Sequence, residues 1–560
     1  MARNPERPST MKKLQQPRMP MVNADRFAMV PRSDVPRSTF ATVHTYKTTF
    51  DFDYLVPVHV DEVLPGDVHQ GDMTVFARVS NLLFPLMDNL EVESFFFFVP
   101  SRIVWSNWVK MMGQQDNPGD SIAFTIPQLV SPVGGFLANS IYDYMGLPTA
   151  GQVGAAATVS VNALPLRGYN AIYNQWFRDE NLVNSVPQAV NDGPDSNANY
   201  VLLKRAKKHD YFTAALPWPL KGGVEVPLPI SGNALVKMSA ADTLTGAQNP
   251  LRILGSATGA LPTVNQVLTT NAGANRQNIY AGGNGTPTGE AFYPSNLYAD
   301  LSTATGATIN AIRLAVATQQ FLEKDARGGT RYTELLKNHF GVTPEDARLQ
   351  RPEYIGGGRS PVQTQAIPQT SATKITGSDT AIGSLTGQAT IQASHRFSYH
   401  ATEHGYIIGL INVTGEVTYQ QGLHRMWTRQ TRYDFYWPVF ANLGEQAVRN
   451  DEIFCVGTGG TDTATFGYQE RWAEYRYRQS KITGLFKSTT ALNIDEWHLS
   501  QQFGALPTLN ATFITQSTPG TRVLAAAAQA NGMQVLFDSV FHIRCTRPIP
   551  TYSVPGLTRF

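Results

Sequence analysis

A chain of 560 residues with 45 Lys and Arg against 43 Asp and Glu carries a formal net charge of +2, which excludes a polycationic nucleic-acid condenser. Two cysteines exclude a disulfide framework and fit a reducing compartment, and no apolar run reaches the ~18 residues of a membrane-spanning helix, so a cytosolic chain without a secretory signal is expected. Charged residues are only 16% of the total, against roughly 25% in an ordinary soluble domain, a balance that suits surfaces buried against further copies or a loop-rich β protein.

Residues 1–37 form a leading arm with eight basic residues against three acidic ones. Its prolines at 5, 8, 17, 20, 31 and 36 block regular helix and central strand. Such an arm either touches nucleic acid or a neighbouring subunit, or is an ordinary frayed terminus. Strand-like material follows in 40–62 and 72–99. Within it, Glu91-Val92-Glu93 alternates as a strand with one wet face. Phe95, Phe96, Phe97 and Phe98 then run consecutively, so both faces of that strand must be covered, by a second sheet or by a neighbouring subunit.

From Leu166 the apolar residues Tyr169, Ile172, Tyr173, Trp176 and Phe177 recur at helical spacing and predict a helix with one broad apolar stripe. The basic run Lys204-Arg-Ala-Lys-Lys208 reads most simply as a solvated surface segment. Residues 231–308 differ in kind: 78 residues hold ten Gly and six charged side chains. Loop chemistry of that length, too poor in charge for a solvated linker, fits a self-associating surface projection. Its apolar residues Leu251, Ile253, Leu254, Val264, Val267 and Leu268 need cover that further copies can supply. Helices are predicted over 314–326 and 332–340, with Gly328 and Gly341 as stops. A second loop tract spans 360–394, and strands return in 396–421 and 534–545. Strands at both ends with helices inside long excursions describe one sheet-built core, 38–560, carrying insertions.

No catalytic signature is present. There is no G-x-x-x-x-G-K-[ST] phosphate loop and no G-x-S-x-G nucleophile elbow, and Gly457-Thr-Gly-Gly-Thr-Asp462 lacks the third glycine of a dinucleotide fingerprint. His395, His400, His404 and Glu403 match no helical ligand spacing, and Cys455 and Cys545 read as core thiols, so neither metal nor cofactor is expected. Two segments mix Arg with aromatics: Arg425, Trp427, Arg429 and Arg432, with Tyr433 and Tyr436, and then Arg471, Trp472, Arg476 and Arg478, with Tyr475 and Tyr477. Guanidinium groups on phosphates and rings stacked on bases hold single-stranded DNA without reading its sequence. The same residue types are favoured in protein–protein interfaces.

The segment Met87-Asp-Asn-Leu-Glu-Val-Glu-Ser-Phe-Phe-Phe-Phe-Val-Pro-Ser-Arg-Ile-Val-Trp105 resembles the major capsid proteins of the Microviridae, in particular the gokushoviruses. Tyr54–Asp67, Leu164–Asp179, Ala206–Pro219, Thr330–Val342, Tyr433–Pro438 and Gly467–Arg476 are similar to further blocks of that family, in family order over nearly the whole chain. The two loop tracts have no such match. The resemblance implies a mainly β fold, an eight-stranded viral jelly roll with long, partly helical insertion loops. It implies sixty copies in a T=1 icosahedral shell around circular single-stranded DNA, assembled in the bacterial host cytoplasm and found in the virion. Implied partners are the chain itself, the genome, a small basic DNA-binding protein, an internal scaffolding protein, a pilot protein and a host surface receptor. The projection would then cluster on the threefold axes. The alternative reading is a β-sandwich carbohydrate-active enzyme, for which no carboxylate pair is identifiable. A soluble single-stranded-DNA-binding protein fits neither the balanced charge nor the size.

Overall fold

The computed structural model describes residues 36–223, 309–329, 331–343, 345–370, 382–457, 460–525 and 532–552, with isolated short strands inside 224–308 and 371–381. Nine strands carry the architecture: β1 Ser38–Phe50, β2 Val56–Val63, β3 Val68–Leu82, β4 Leu90–Pro100, β5 Glu353–Pro361, β6 Gln363–Pro368, β7 Leu385–His400, β8 Gly405–Gly415 and β9 Val535–Arg547. They are hydrogen-bonded in the order β1-β9-β3-β7-β5-β4-β8-β2, with β6 beside β7. The order divides into two quartets, β1-β9-β3-β7 and β5-β4-β8-β2. Among the described residues the quartets join where Gly356 and Gly357 of β5 pair with Phe397 and Arg396 of β7. Two four-stranded antiparallel sheets interleaved in this way form a jelly roll, here nearly closed.

The join depends on glycine. Gly356 and Gly357 have φ of 154° and 150°, where L side chains are strained. A Cβ on Gly357 would lie 2.1 Å from the Ser94 carbonyl oxygen, and one on Gly356 would lie 2.6 Å from that of Arg396. Only a bare backbone fits between β4 and β7 at that point.

Elsewhere, alternation sets the register. On β3, His69, Gly71, Met73, Val75, Ala77 and Val79 are buried while Gln70, Thr74, Phe76 and Arg78 face out. The inward residues meet Val92, Phe96, Phe98, Ile407 and Ile411 of the other sheet to form one core. β8 is buried along its whole length, because both of its faces are covered.

The same holds for β4. Phe96 and Phe98 point between the sheets, where Phe96 stacks on Phe397 at 4.3 Å and Phe98 on Tyr399 at 4.5 Å. Phe97 points the other way, into a second core with Val99, Ile408 and Leu410. That core is closed by the chain's own insertion between β4 and β5, not by a second sheet or another subunit. Its central helix, α1 Leu164–Ile172, runs on into a wider turn, Tyr173–Phe177. The expected apolar stripe thus reaches β4: Phe95 meets Phe177 at 5.0 Å and Phe97 meets Trp176 at 5.4 Å. Further on, α2 Ile309–Arg327 and α3 Tyr332–Phe340 follow as expected, α3 ending at Gly341 with φ 71°. Among the described residues no helix is long and apolar enough to cross a membrane.

Three expectations are corrected. Glu93 does not face water: it is buried, paired with Arg205, and 2.9 Å from Lys208 Nζ. The run 204–208 is therefore no solvated segment. Lys207 is buried, and Lys208 and Arg205 pair with Glu91 and Glu93, carboxylates that Arg359 of β5 also meets. The tract 360–394 is largely strand where it is described: β6 and the first half of β7 pair from Gln363↔Thr390 to Pro368↔Leu385, and Lys374–Ile375 pairs with Ser378–Asp379. In 231–308, the described residues form three nested antiparallel pairs: Leu235–Met238 with Leu297–Asp300, Ile253–Leu254 with Tyr293–Pro294, and Thr269–Thr270 with Ile279–Tyr280. Leu251, Val264, Val267 and Leu268 lie outside the described residues, as does nearly all of the arm 1–37.

Replacing Phe96 or Phe97 by Ala should cost ~3–5 kcal/mol through the cavity left in either core. Denaturant midpoints of the soluble protein and particle yield check this, and a loss confined to Phe96 would show that the insertion does not depend on β4. A pH effect is expected as well. His59 of β2 stacks on Phe541 at 5.2 Å, and its Nε2 has no hydrogen-bond partner among the described residues. Burial, with His44 and His69 nearby, lowers its pKa from 6.5 to about 3. The unfolded chain therefore takes up the extra proton below pH 6.5, and stability present above that pH falls toward pH 3 by up to about 1.4 kcal/mol per pH unit. In His59→Leu the slope of stability against pH should flatten over that window.

Candidate nucleic-acid interface

The insertion between β8 and β9 brings the two Arg–aromatic segments together. It folds on a third core in which Tyr211, Phe212 and Ala215 of the first insertion pack with Tyr419, Val448, Ile453, Phe466 and Phe513. A short hairpin, Glu445–Arg449 with Thr465–Glu470, supplies the platform. Segment 425–440 lies along one side of it and segment 471–478 follows its second strand.

Their contacts are direct. Arg429 donates to Glu474 at 3.1 Å and lies 4.4 Å from the Tyr475 ring. Tyr436 meets Trp472 edge-on at 5.6 Å, and Trp472 Nε1 donates to the Phe440 carbonyl at 2.9 Å. Trp472 holds φ 68°, a strained conformation for a bulky residue, at the corner that turns its ring under Tyr436. Asp434 accepts from the Thr431 and Gln430 amides, bonds that hold its carboxyl below the usual range and close the turn presenting Tyr433.

The arginines divide by their partners. Arg425 donates to the Ala447 carbonyl and to Glu452, a buried carboxylate that also accepts from the Tyr211 hydroxyl and whose pKa burial pushes up. Arg429 and Glu474 have side chains only 9% and 4% exposed. The charges of Arg425 and Arg429 are thus committed inside the fold, and these residues position the platform. Arg476 pairs at 2.6 Å with Glu470 at the surface. Arg432 lies 4.8 Å from the Tyr433 ring and Arg471 4.8 Å from that of Trp472. Like the exposed Arg478, neither has a carboxylate partner among the described residues.

Around these cations stands an exposed aromatic surface. Trp427 is 68% exposed, and Tyr433, Phe435, Tyr436, Trp437 and Tyr475 are each about half exposed. So many open rings beside uncommitted guanidinium groups can stack bases and hold phosphates, or pack against protein. Reading segment by segment did not anticipate the buried carboxylates Glu452 and Glu474, because each takes its arginine from a segment distant in the chain.

The other candidates are structural. His395 bonds Ser94 at 2.6 Å and Ser360 at 3.0 Å, Glu403 pairs with Arg102, and His404 packs on Trp108 at 5.6 Å. Cys455 is exposed, contrary to its reading as a core thiol; Cys545 is buried.

Removing the side chain in Arg429→Ala should cost about 3–5 kcal/mol by stranding buried Glu474, whereas Arg432→Ala should change stability by less than about 0.5 kcal/mol. Chemical denaturation of the two variants side by side checks the division into positioning and surface arginines.

Comparison with known proteins agrees with this architecture. Residues 28–557 match the family model described as capsid protein (F protein). The chain is 44% identical over 549 residues to capsid protein VP1 of Bdellovibrio phage phiMH2K, covering 95% of this chain and 98% of the relative. It is 40% identical over 602 residues to capsid protein VP1 of Chlamydia phage 1, covering 97% and 99%. It is 34% identical over 557 residues to capsid protein VP1 of Spiroplasma virus 4, covering 95% and 97%. These relatives are structural proteins, which removes the carbohydrate-active enzyme from consideration. The chain belongs to the phage capsid protein (F protein) family, among the Microviridae major capsid proteins of gokushovirus type, and its place is the virion.

Proposed function

We propose that sixty copies of this capsid protein close a T=1 shell around circular single-stranded DNA, with the 425–440 and 471–478 surface touching the genome. The observation that carries the DNA contact is the convergence of the two Arg–aromatic segments on one face, with Arg432, Arg471 and Arg478 left without carboxylate partners among the described residues. Guanidinium groups beside open rings suit a flexible single strand of any sequence. Arg425, Arg429 and Trp472 position this surface, and Trp427, Arg432, Arg471, Arg476 and Arg478 meet the DNA. A net charge of +2 per chain leaves most phosphates to counterions and to a small basic DNA-binding protein. An internal scaffolding protein and a pilot protein complete the set of assembly partners, in the bacterial cytoplasm.

The outer face of sheet β1-β9-β3-β7, exposed at Gln70, Thr74 and Arg78 among the described residues, suits the same enclosure. Its two acids, Asp72 and Asp538, are paired with Arg396 and Lys47, while Arg78 and Arg544 remain exposed. The opposite sheet has its outer face buried under the first insertion.

The 231–308 tract is proposed as an outward projection that gathers with its symmetry mates at the threefold axes through Leu251, Ile253, Leu254, Val264, Val267 and Leu268. Binding functions concentrate on loops held by a rigid scaffold, so host-surface recognition is its role. The nested pairs Leu235↔Asp300 and Met238↔Leu297 keep the two ends of the tract together, as a projection requires.

Two experiments test these assignments. In Arg432→Glu with Arg478→Glu, DNA content per particle should fall more than particle number. Failure to assemble with unchanged DNA affinity of the soluble protein would make the face a subunit interface instead. Deleting 231–308 across a short Gly-Ser bridge should leave shells that no longer adsorb to the host, and collapse of assembly would make the tract part of the wall.

A further inference from the structure

We propose that Asp67, His69 and Cys545 form a binding site for a divalent transition-metal ion of the zinc class, which staples the end of β9 to the start of β3. Cys545 faces His69 directly across the β9–β3 ladder. Its Sγ lies 3.4 Å from His69 Nε2, which is also 3.4 Å from Asp67 Oδ2 in the β2–β3 turn. One ligand atom from each residue lies within 4.8 Å of the others. A tetrahedral zinc with bonds of about 2.0–2.3 Å holds its ligand atoms about 3.3–3.8 Å apart, so two of the three edges are already set. Thiolate, imidazole and carboxylate are the ligand types this ion takes.

A second observation points to a missing cation. Asp67 is fully buried, and its Oδ1 has no hydrogen-bond donor among the described residues, while Oδ2 accepts from the Leu64 amide at 3.0 Å. His69 is equally buried, with its Nε2 turned toward both Cys545 and Asp67. Orphaned polar atoms at such depth are costly unless something is bound there.

Arg547 does not fill that role. Its Nε donates to Cys545 Sγ at 3.1 Å and reaches Asp67 Oδ2 at 3.2 Å, while Nη2 bonds the Glu62 carbonyl at 2.8 Å and lies 3.5 Å from Asp61. It thus occupies the outer side of the sulfur and of Oδ2, leaving Oδ1 open. An N–H bond to a metal-bound thiolate is a familiar outer-shell support. The charges also balance: two from the ion and one from Arg547 meet the Cys545 thiolate and the Asp67 and Asp61 carboxylates. On binding, the Cys545 thiol proton passes to solvent and the sulfur lone pair forms the metal bond, with water in the fourth position.

The site lies where both ends of the jelly roll meet. Gly66, beside Asp67, accepts a hydrogen bond from Arg37 at the foot of the N-terminal arm, and Arg547 is the last residue of β9. An ion here fixes the arm's root and the last strand to one turn. This inference is independent of the DNA contact.

The test is titration of the full-length protein, stripped with a chelator, using cobalt(II) as a zinc probe. One equivalent per chain should bind with a thiolate-to-cobalt absorption band. The band should vanish in Cys545→Ser and His69→Gln and persist in Cys455→Ser. Absence of the band in the wild type, or its survival in Cys545→Ser, overturns the proposal. Should the variants not fold, zinc protection of the wild type decides: alkylation of Cys545 should slow at least ~10-fold with zinc present, and unchanged rates overturn the site.

Discussion

Burial of β4 on both faces is the constraint from which the rest of this structure follows. Four consecutive phenylalanines alternate between two sides of a strand, so one side alone can never shelter them. Phe96 and Phe98 are covered by the opposing sheet of the jelly roll, Phe97 and Phe95 by α1 and the turn after it. The first insertion is therefore a second wall of the fold, and the shell subunit has three layers along this strand: sheet, sheet and helical insertion. Each buried aromatic removes roughly 150–250 Å² from water, which is why this contact dominates the local energetics.

Charge is used sparingly, and some of it lies inside the fold. Arg167 of α1 is fully buried, pairs with Asp195 at 2.6 Å and donates to the carbonyls of Val104 and Asn191. Lys207 is buried as well: its Nζ donates to Gln501 at 2.9 Å and lies 4.2 Å from the Phe513 ring, and burial lowers its pKa to about 8. These groups tie the first insertion to itself and to the second. Buried pairs of this kind add little net stability but penalise any other arrangement of the segments, because a lone charge at the same depth is severely unfavourable. With charged residues only 16% of the chain, its outer surfaces desolvate more cheaply when copies assemble.

The platform of the second insertion repeats the pattern. Glu452 and Glu474 are buried beneath it and hold Arg425 and Arg429 by ion pairs, so the rings above them stand on a rigid base. Rigid presentation matters for any partner, since ordering flexible aromatics on binding would subtract from affinity.

Much of this was legible in the residues alone. The Phe95–Phe98 run required cover on both sides, the stripe from Tyr169 to Phe177 specified a helix, and Gly341 marked a helix end. Those features are local, and strand and helix periodicities record them directly. The family-like blocks imply the jelly roll without reference to any contact. What the residues could not disclose was pairing between distant segments. Glu93 alternates like a solvent-facing residue, yet it is buried because Arg205 and Lys208 arrive from over a hundred positions away. β5 carries no strand signal because Tyr354-Ile-Gly-Gly-Gly358 has the composition of a loop, and only the approach of β4 and β7 makes glycine a necessity there. Likewise, Asp67, His69 and Cys545 are ordinary residues along the chain, brought together by a cross-strand register that no local pattern encodes. Local periodicity is set by neighbouring backbone geometry, whereas these pairings depend on which distant surface offers the complementary charge or space; the sequence therefore determined the elements and their buried faces, and the tertiary structure alone decided which charges, glycines and ligands meet.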